Sequence, residues 1–284
     1  MAEVPCPLCS RRDTHAWFEK HGCAVQRCPG CTLVFTAGDW STTRARDFYG
    51  SDYFSGHDPI GYANYHGLEA ALRTTARSRL QRLPPAGRLL DIGCGFGVFA
   101  DEARRRFETV ASDVSLAGTR QARERGLDVV VSDAASLPFA DASFDAVTLW
   151  DTIEHLATPL ATLREVRRVL RPGGMLALST GDVASCCARL SGRFWHLFTL
   201  PEHRFFFSLS TLDRFLALAG LQRHAAYHRG AHYSLAYLLE RIVKSLGGDT
   251  RRADRWLRRP RLNRHAVYVN LFDIITVEAV KPSA

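Results

Sequence analysis

"RLLDIGCGFGVFADEA", residues 88–103, decides the fold. An apolar run from Leu89 to Ile92 enters three glycines at alternate positions, Gly93, Gly95 and Gly97, and a helical pattern follows at once. A strand that turns through glycines into a helix brings a ligand close to bare backbone and to the free N–H groups of the helix's first turn. Three kinds of loop compete. A phosphate-binding P-loop needs Lys-Ser/Thr after its glycines, and "GCGFGVFA" has neither. The dinucleotide fingerprint is G-x-G-x-x-G, whereas this chain has G-x-G-x-G followed by Val98, Phe99 and Ala100. The third pattern, D-x-G-x-G-x-G, begins with an acid, Asp91, near the strand's carboxyl end. That acid suits a ligand carrying a cationic ammonium instead of a pyrophosphate.

Strand and helix patterns alternate outward from this loop. The spacing predicts strands at 88–92, 109–114, 128–133 and 144–150, with helices at about 97–107 and 115–125. "LATLREVRRVL" reads as a helix stopped by "RPGG", then "MLALST" as a strand and "STLDRFLALAG" as a helix with a glycine stop. Further strands are expected near 221–229 and at 272–281, and a helix at 68–83 before the first. Strands alternating with helices predict a doubly wound, mainly parallel α/β sheet. Two more acids fall at strand ends. Asp113 lies about 20 residues past the glycines, where a carboxylate can take ribose hydroxyls. Asp133 closes "DVVVSD", placed to meet an adenine amino group. One such acid is commonly a helix cap; three at successive strand ends form a pattern.

"LLDIGCGFG", "SDV", "SDAASLPFADASFDAVTLWDTIEHL", "RVLRPGG" and "PEHRFFFSLSTLDRFLALAGL" together resemble a class I S-adenosylmethionine-dependent methyltransferase. They are similar to the broad bacterial group that includes ubiquinone-biosynthesis O-methyltransferases and enzymes of sugar and natural-product pathways. The resemblance implies a Rossmann-like seven-stranded sheet whose last strand is antiparallel. It also implies that Asp91, Gly93 and Gly95, with Cys94 and Gly97, line the methionine end of the cofactor, and that Asp113, with Val114, holds the ribose. Asp133 and Ala134 would face the adenine, and Trp150 and Asp151 would close over the cofactor.

Four of the eight cysteines form "CPLC" (Cys6, Cys9) and "CPGC" (Cys28, Cys31). Two C-x2-C knuckles at this spacing match a tetrahedral zinc site with four thiolate ligands. Pro29 and Gly30 supply turn geometry, and "TLVF" reads as the strand closing a zinc ribbon. Four cysteine ligands leave no open position for water, which makes the expected single zinc structural. The expected organisation is a ribbon at 1–37, an aromatic connection at 38–67 and the methyltransferase domain at 68–284, with a helical insertion at about 231–264.

The chemistry beyond the cofactor is read from the segment after 144–150. Methyl transfer to a weak nucleophile needs alignment, exclusion of water and a base. His155 in "WDTIEHL" and His203 in "PEHRFFF" are the candidate bases, with Asp151 beside them. A divalent cation at Asp151, Glu154 and His155 is the less favoured alternative. "WDTI" replaces the Asn/Asp-Pro-Pro-aromatic of enzymes that methylate exocyclic base amines, and there is no cysteine for cytosine C5 chemistry. "GRFWHLFTLPEH" is expected to wall the acceptor pocket.

Composition narrows the partners less. The chain has 284 residues and a formal charge of +8, from 37 Lys+Arg against 29 Asp+Glu, with arginine predominating. That balance permits nucleic-acid or acidic-membrane contact without demanding either. No run of about 18 apolar residues suggests a membrane span, and the first residues lack a secretory pattern, so a cytoplasmic setting is expected. In "SLAYLLERIVKSLGG", Leu235, Leu238, Leu239, Ile242, Val243 and Leu246 form a stripe, followed by the arginine-rich "RRADRWLRRPRLNRH" around Trp256. We read the stripe as a lid or homodimer helix, with peripheral membrane contact through 234–264 as the second reading. The expected function is methyl transfer from S-adenosylmethionine to a small-molecule hydroxyl in sugar, glycolipid, quinone or specialised metabolism. The rivals are an RNA methyltransferase and a non-catalytic cofactor-binding scaffold.

Overall fold

A computed structural model describes residues 4–38, 65–235, 238–239 and 266–283. Most of the aromatic connection and the interior of the insertion, with its basic run, lie outside the described residues. Three short strands come first: β1 (His15–Lys20), β2 (Cys23–Arg27) and β3 (Val34–Thr36). Helix α1 (Tyr65–Leu80) leads into β4 (Arg88–Ile92), α2 (Val98–Ala103), β5 (Glu108–Asp113), α3 (Leu116–Glu124) and β6 (Asp128–Val131). Next come β7 (Phe144–Trp150), α4 (Pro159–Val169), β8 (Leu170–Gly181) and α5 (Cys186–Ser191). Strand β9 (Phe205–Phe206) and helix α6 (Leu209–Ala219) follow. Last come β10 (Gln222–His228), β11 (Ala231–Ser234), β12 (Ala266–Val269) and β13 (Ile274–Val280).

The central sheet has seven strands in the order β10-β13-β8-β7-β4-β5-β6. β4 pairs in parallel with β5 on one side and β7 on the other, and β13 runs antiparallel to both β8 and β10. This is the Rossmann-like arrangement with the antiparallel strand where the resemblance implied it. Leu89, Leu90 and Ile92 of β4 and Ala146, Val147 and Leu149 of β7 are all buried, as strands covered by helices on both faces must be. Helix α4 turns Leu163, Val166 and Val169 into the core, and α6 turns in Leu212, Phe215 and Leu216. A reciprocal Ser208–Thr211 capping box starts α6, and Gly220 in the left-handed region ends it. Because chain order diverges from β4 toward β5 and toward β7, a crevice opens at the carboxyl ends of these strands, where open α/β sheets bind ligands.

Three local outcomes differ from the patterns in the sequence. Helix α2 stops well short of 107. Beyond it Arg104 and Arg106 donate to the carbonyls of Arg125 and Leu83, at 3.2 and 2.9 Å, and so tie down neighbouring loops. The insertion expected to be helical at about 231–264 opens as strand and is helical at its described residues 235 and 238–239, and a strand follows it at Ala266–Val269. The alternating "AHYS" of β11 pairs antiparallel with the "AVYV" of β12, and Thr75 of α1 accepts from the His232 backbone at 3.0 Å. Most of the aromatic segment "GRFWHLFTLPEH" turns inward, with His203 at its end packed on His155. Its Trp195, Phe198 and Leu200 are buried against Val25 and Val34 of the N-terminal strands and against Phe206.

That packing follows from a shared sheet. β3 pairs antiparallel with β9, Val34 opposite Phe206 and Phe35 opposite Phe205, giving the order β1-β2-β3-β9. The N-terminal strands therefore take their fourth strand from the segment after β8. Trp195, fully buried, also donates its indole N–H to Asp273 at 2.9 Å. Trp195→Ala should lower stability by about 3–5 kcal/mol, read as a shift in the urea midpoint with unchanged slope. An unshifted midpoint would show that the two sheets are not packed through this cluster.

Candidate functional site

The glycine loop is built by its own protein contacts before any ligand arrives. Gly93, Gly95 and Gly97 have φ of 73°, 52° and 76°, all in the left-handed region that other residues enter at a cost. Gly93 and Cys94 donate their N–H groups to the Ser112 carbonyl of β5, at 2.8 and 3.1 Å. A Cβ at 93 would fall on the Thr152 side chain, and one at 97 on Leu127 and Ala122. Closeness to protein, as much as closeness to ligand, demands glycine here.

The acids predicted at the strand ends stand around this loop. Asp113 accepts from Gly95 N–H through Oδ2 and from Ser115 N–H through Oδ1, each at 2.8 Å. Burial pushes its pKa up while these backbone donors oppose the rise. Each oxygen retains a second lone pair for a ligand hydroxyl. Asp91 is buried in β4 and accepts from the Thr148 hydroxyl at 2.8 Å; burial raises its pKa to about 7. Asp133 accepts from Ala135 N–H at 2.9 Å, beside buried Ala134, and Val114 is half-buried next to Asp113. Three carboxyl groups near successive strand ends, around a loop without side chains, fit a ligand that presents an ammonium, ribose hydroxyls and a base amine.

Strand β7 ends in a turn of a different kind. Asp151 sits at φ 51°, a left-handed conformation that Asp tolerates better than most residues. Its carboxylate takes Arg79 Nη2 at 2.7 Å and the Ser179 hydroxyl at 2.7 Å. Desolvation opposes the charge, but the Arg79 guanidinium and the Ser179 hydroxyl hold the Asp151 carboxyl below its usual range. The same guanidinium lies 4.6 Å over the Trp150 ring, which also meets Phe99 edge-to-face at 5.4 Å. Arg79 reaches the rim from the last turn of α1, and no local pattern marks it.

The short helical turn Ile153–His155 follows. His155 and His203, which the sequence could only offer separately, meet edge-to-face with ring centres 4.6 Å apart. His203 Nδ1 donates to the Leu197 carbonyl at 2.7 Å, and the His155 ring bonds to the Glu202 backbone. Burial, with His203 as a like-charged neighbour, holds His155 down at about 3; burial holds His203 at about 4. Both are neutral near pH 7. Glu154 lies underneath, 4 % exposed, and its Oε2 has no hydrogen-bond partner among the described residues. Burial and the nearby Asp151 charge raise its pKa to about 8. Glu154, His155 and His203 bring one ligand atom each within 4.8 Å of the others. Asp151, expected with them, faces Arg79 instead.

The four predicted cysteines also converge. Cys6 and Cys31 sulfurs lie 3.3 Å apart and those of Cys9 and Cys28 3.5 Å apart, with all four within 4.8 Å. A disulfide would need about 2.05 Å. The knuckles are built alike. Ser10 N–H bonds back to the Cys6 carbonyl at 2.8 Å, Thr32 N–H to that of Cys28 at 3.0 Å, and both residues are left-handed. Two equivalent turns presenting four sulfurs to one point fit a four-coordinate zinc, which Cys6, Cys9, Cys28 and Cys31 would hold with no open position.

Residues 66–226 match the methyltransferase domain family. The chain belongs to that family, and its sheet is that of the class I S-adenosylmethionine-dependent methyltransferases. Among its relatives is demethylmenaquinone methyltransferase from Corynebacterium urealyticum, 39 % identical over 114 residues, which are 40 % of this chain and 49 % of that protein. The chain thus spans about half the length of the curated relatives it matches. A possible histamine N-methyltransferase of Thermotoga maritima, described as SAM-dependent, shares the fold with a TM-score of 0.55 at 21 % identity, covering 81 % of this chain and 98 % of that one. The [4+2]-cyclase SpnF shares it with a TM-score of 0.59 at 19 % identity, covering 87 % and 99 %.

Two outcomes test this geometry. Gly93→Ala should cost about 1–3 kcal/mol through its backbone alone, plus the clash with Thr152; adding Thr152→Ser should recover only part of the loss in a urea titration. Gly93→Ala as stable as the parent would remove the contact from its place in the fold. After dialysis against a mild chelator, metal analysis should find about one zinc per chain, lost in Cys28→Ser. A metal-free chain with an intact N-terminal sheet would exclude the zinc site.

Proposed function

We propose that this chain is an S-adenosylmethionine-dependent methyltransferase acting on a hydroxyl oxygen of a small molecule. Bound S-adenosylmethionine supplies a methyl group made electrophilic by its sulfonium. In this reading Asp91, Gly93 and Gly95, with Cys94 and Gly97, hold the methionine end. Asp113, with Val114, takes the ribose, Asp133 and Ala134 face the adenine, and Trp150 with Asp151 closes the rim. One observation carries the proposal: Gly93 of the loop packs on Thr152, the residue that opens the turn bearing Glu154 and His155. The loop that suits the methyl donor and the polar cluster that suits an acceptor therefore share one edge of the sheet.

His155 and His203 are anchored, neutral lone-pair groups, and they orient an acceptor O–H by accepting its hydrogen bond. Held at about 3 and about 4, both are weak bases, so their part is alignment more than removal of a proton before transfer. The acceptor oxygen forms its new bond to carbon as the carbon–sulfur bond breaks with its electron pair left on sulfur, and the hydroxyl proton departs to solvent. The likeness to demethylmenaquinone methyltransferase supports a place in quinone metabolism, alongside sugar, glycolipid and other specialised hydroxyl acceptors.

The test is S-adenosylhomocysteine formation with a panel of hydroquinones, catechols and sugar hydroxyls, set beside bulk RNA. Methyl groups should appear on a small molecule. Methyl incorporation into RNA alone would favour the RNA reading, and tight cofactor binding with no turnover on any acceptor would favour the scaffold. Asp113→Ala should weaken S-adenosylmethionine binding by about tenfold or more, the worth of a hydrogen bond to a charged group. Unchanged binding by calorimetry would remove Asp113 from the ribose site.

A further inference from the structure

We propose that Cys187, His196 and Asp273 form a second metal site, one that takes a zinc-type divalent cation apart from the four N-terminal cysteines. The three come from separate segments: the first turn of α5, the loop that follows it, and the residue before β13. One sulfur, one imidazole nitrogen and one carboxylate oxygen lie within 4.8 Å of one another. His196 Nδ1 and Asp273 Oδ2 are 3.6 Å apart. That is too long for a hydrogen bond, which closes to about 2.7–3.2 Å. It is the separation of two ligands on one tetrahedral ion, since bonds of about 2.0–2.2 Å set such atoms about 3.3–3.6 Å apart.

The carboxylate is placed for a cation. The Asp273 side chain is 3 % exposed, and among the described residues its ion-pair partner is His196 alone. A carboxylate buried to that extent is costly without a closer counter-charge. It is also fixed before any ion arrives. Trp195 gives Oδ2 its indole N–H at 2.9 Å, and the Asp273 backbone carbonyl accepts from Asp182 N–H at 2.7 Å. Outer hydrogen bonds of this kind orient metal-binding carboxylates. The Cys187 thiol bonds to the same carboxylate, and Ser185 caps the short helix that carries it, accepting from Ala188 N–H at 3.1 Å. The ion takes the place of the thiol proton, which leaves to solvent, and the thiolate becomes a ligand. Thiolate, imidazole and carboxylate together select zinc or cobalt over magnesium and calcium, which prefer all-oxygen shells. Three protein ligands leave a fourth position for water, on the side where His196 is partly exposed. Bound there, the ion ties α5 and the Trp195 loop to the start of β13. The segment between β8 and β9 is then fixed at a point independent of the ribbon, and nothing in this depends on the methyl acceptor.

The full chain is loaded with zinc and dialysed against a mild chelator, which empties the open three-ligand site and leaves the four cysteines filled. It is then titrated with Co2+. One equivalent should bind, with a thiolate-to-cobalt charge-transfer band of the strength of a single sulfur. Cys187→Ser should lose that band while keeping its cysteine-bound zinc and its circular dichroism. Asp273→Asn, which can still accept from Trp195, and His196→Asn, at the surface, should each weaken uptake by about tenfold or more. No saturable uptake by the parent would overturn the site, as would uptake without a thiolate band. A band that persists in Cys187→Ser would place the cobalt at the four cysteines, and uptake unchanged in both other variants would remove their ligands; either result overturns the site as well.

Discussion

The ends of β4 and β7 can lie against each other only because residue 93 has no side chain. Thr152 fills the space a Cβ would take, and its hydroxyl donates to the Trp150 carbonyl at 3.0 Å, closing the turn on itself. The glycine loop is held from the other side by β5, through the Ser112 carbonyl and the Asp113 carboxylate. One glycine thus fixes the distance between the part of the rim that suits a cofactor and the part that suits an acceptor.

The N-terminal strands are tied to the same rim. The second cysteine knuckle leads directly into β3, which pairs with β9, and β9 begins two residues after His203. Between them, Arg204 gives its N–H to the Glu154 carbonyl at 2.8 Å, while its own carbonyl accepts from Thr36 N–H at 2.9 Å. A continuous run of backbone hydrogen bonds therefore connects the cysteine ribbon to the turn carrying Glu154 and His155. A zinc at the cysteines would stiffen β3, and through it the position of His203. The ribbon is in this sense a support for the Glu154–His155 turn and His203, well outside the glycine loop.

How much of this was legible in the sequence follows from how local each feature is. The glycine loop, the strand–helix alternation and the two cysteine knuckles are short-range patterns, and the structure reproduces all three. The pairing of His155 with His203 is not short-range; it depends on how the loop after β8 folds back over β7. Arg79 carries no signal at all, since a basic residue in the last turn of a helix is ordinary there. Its reach to Asp151 is what takes that acid out of the group expected to include it. The aromatic segment "GRFWHLFTLPEH" is legible only in part for a related reason. Aromatic density marks a buried surface, and only the pairing of β3 with β9 decides that Trp195, Phe198 and Leu200 cover the N-terminal strands.

The sheet itself does not determine the chemistry. SpnF, described as a [4+2]-cyclase, shares this fold over nearly its whole length, so what the chain does must be decided by what is mounted on the strand ends. In this chain the mounting differs sharply between the two halves of the rim. At the ends of β5 and β6 the acids Asp113 and Asp133 are bonded to backbone N–H groups, and Asp91 of β4 to the Thr148 hydroxyl, an arrangement that fixes the walls of the glycine loop. Around β7 the groups are side chains packed on side chains: two imidazoles on each other, a carboxyl group beneath them, an arginine on a tryptophan. The first half is a cradle with few degrees of freedom. The second is a packed polar cluster in which one oxygen of the buried Glu154 carboxyl has no hydrogen-bond partner among the described residues.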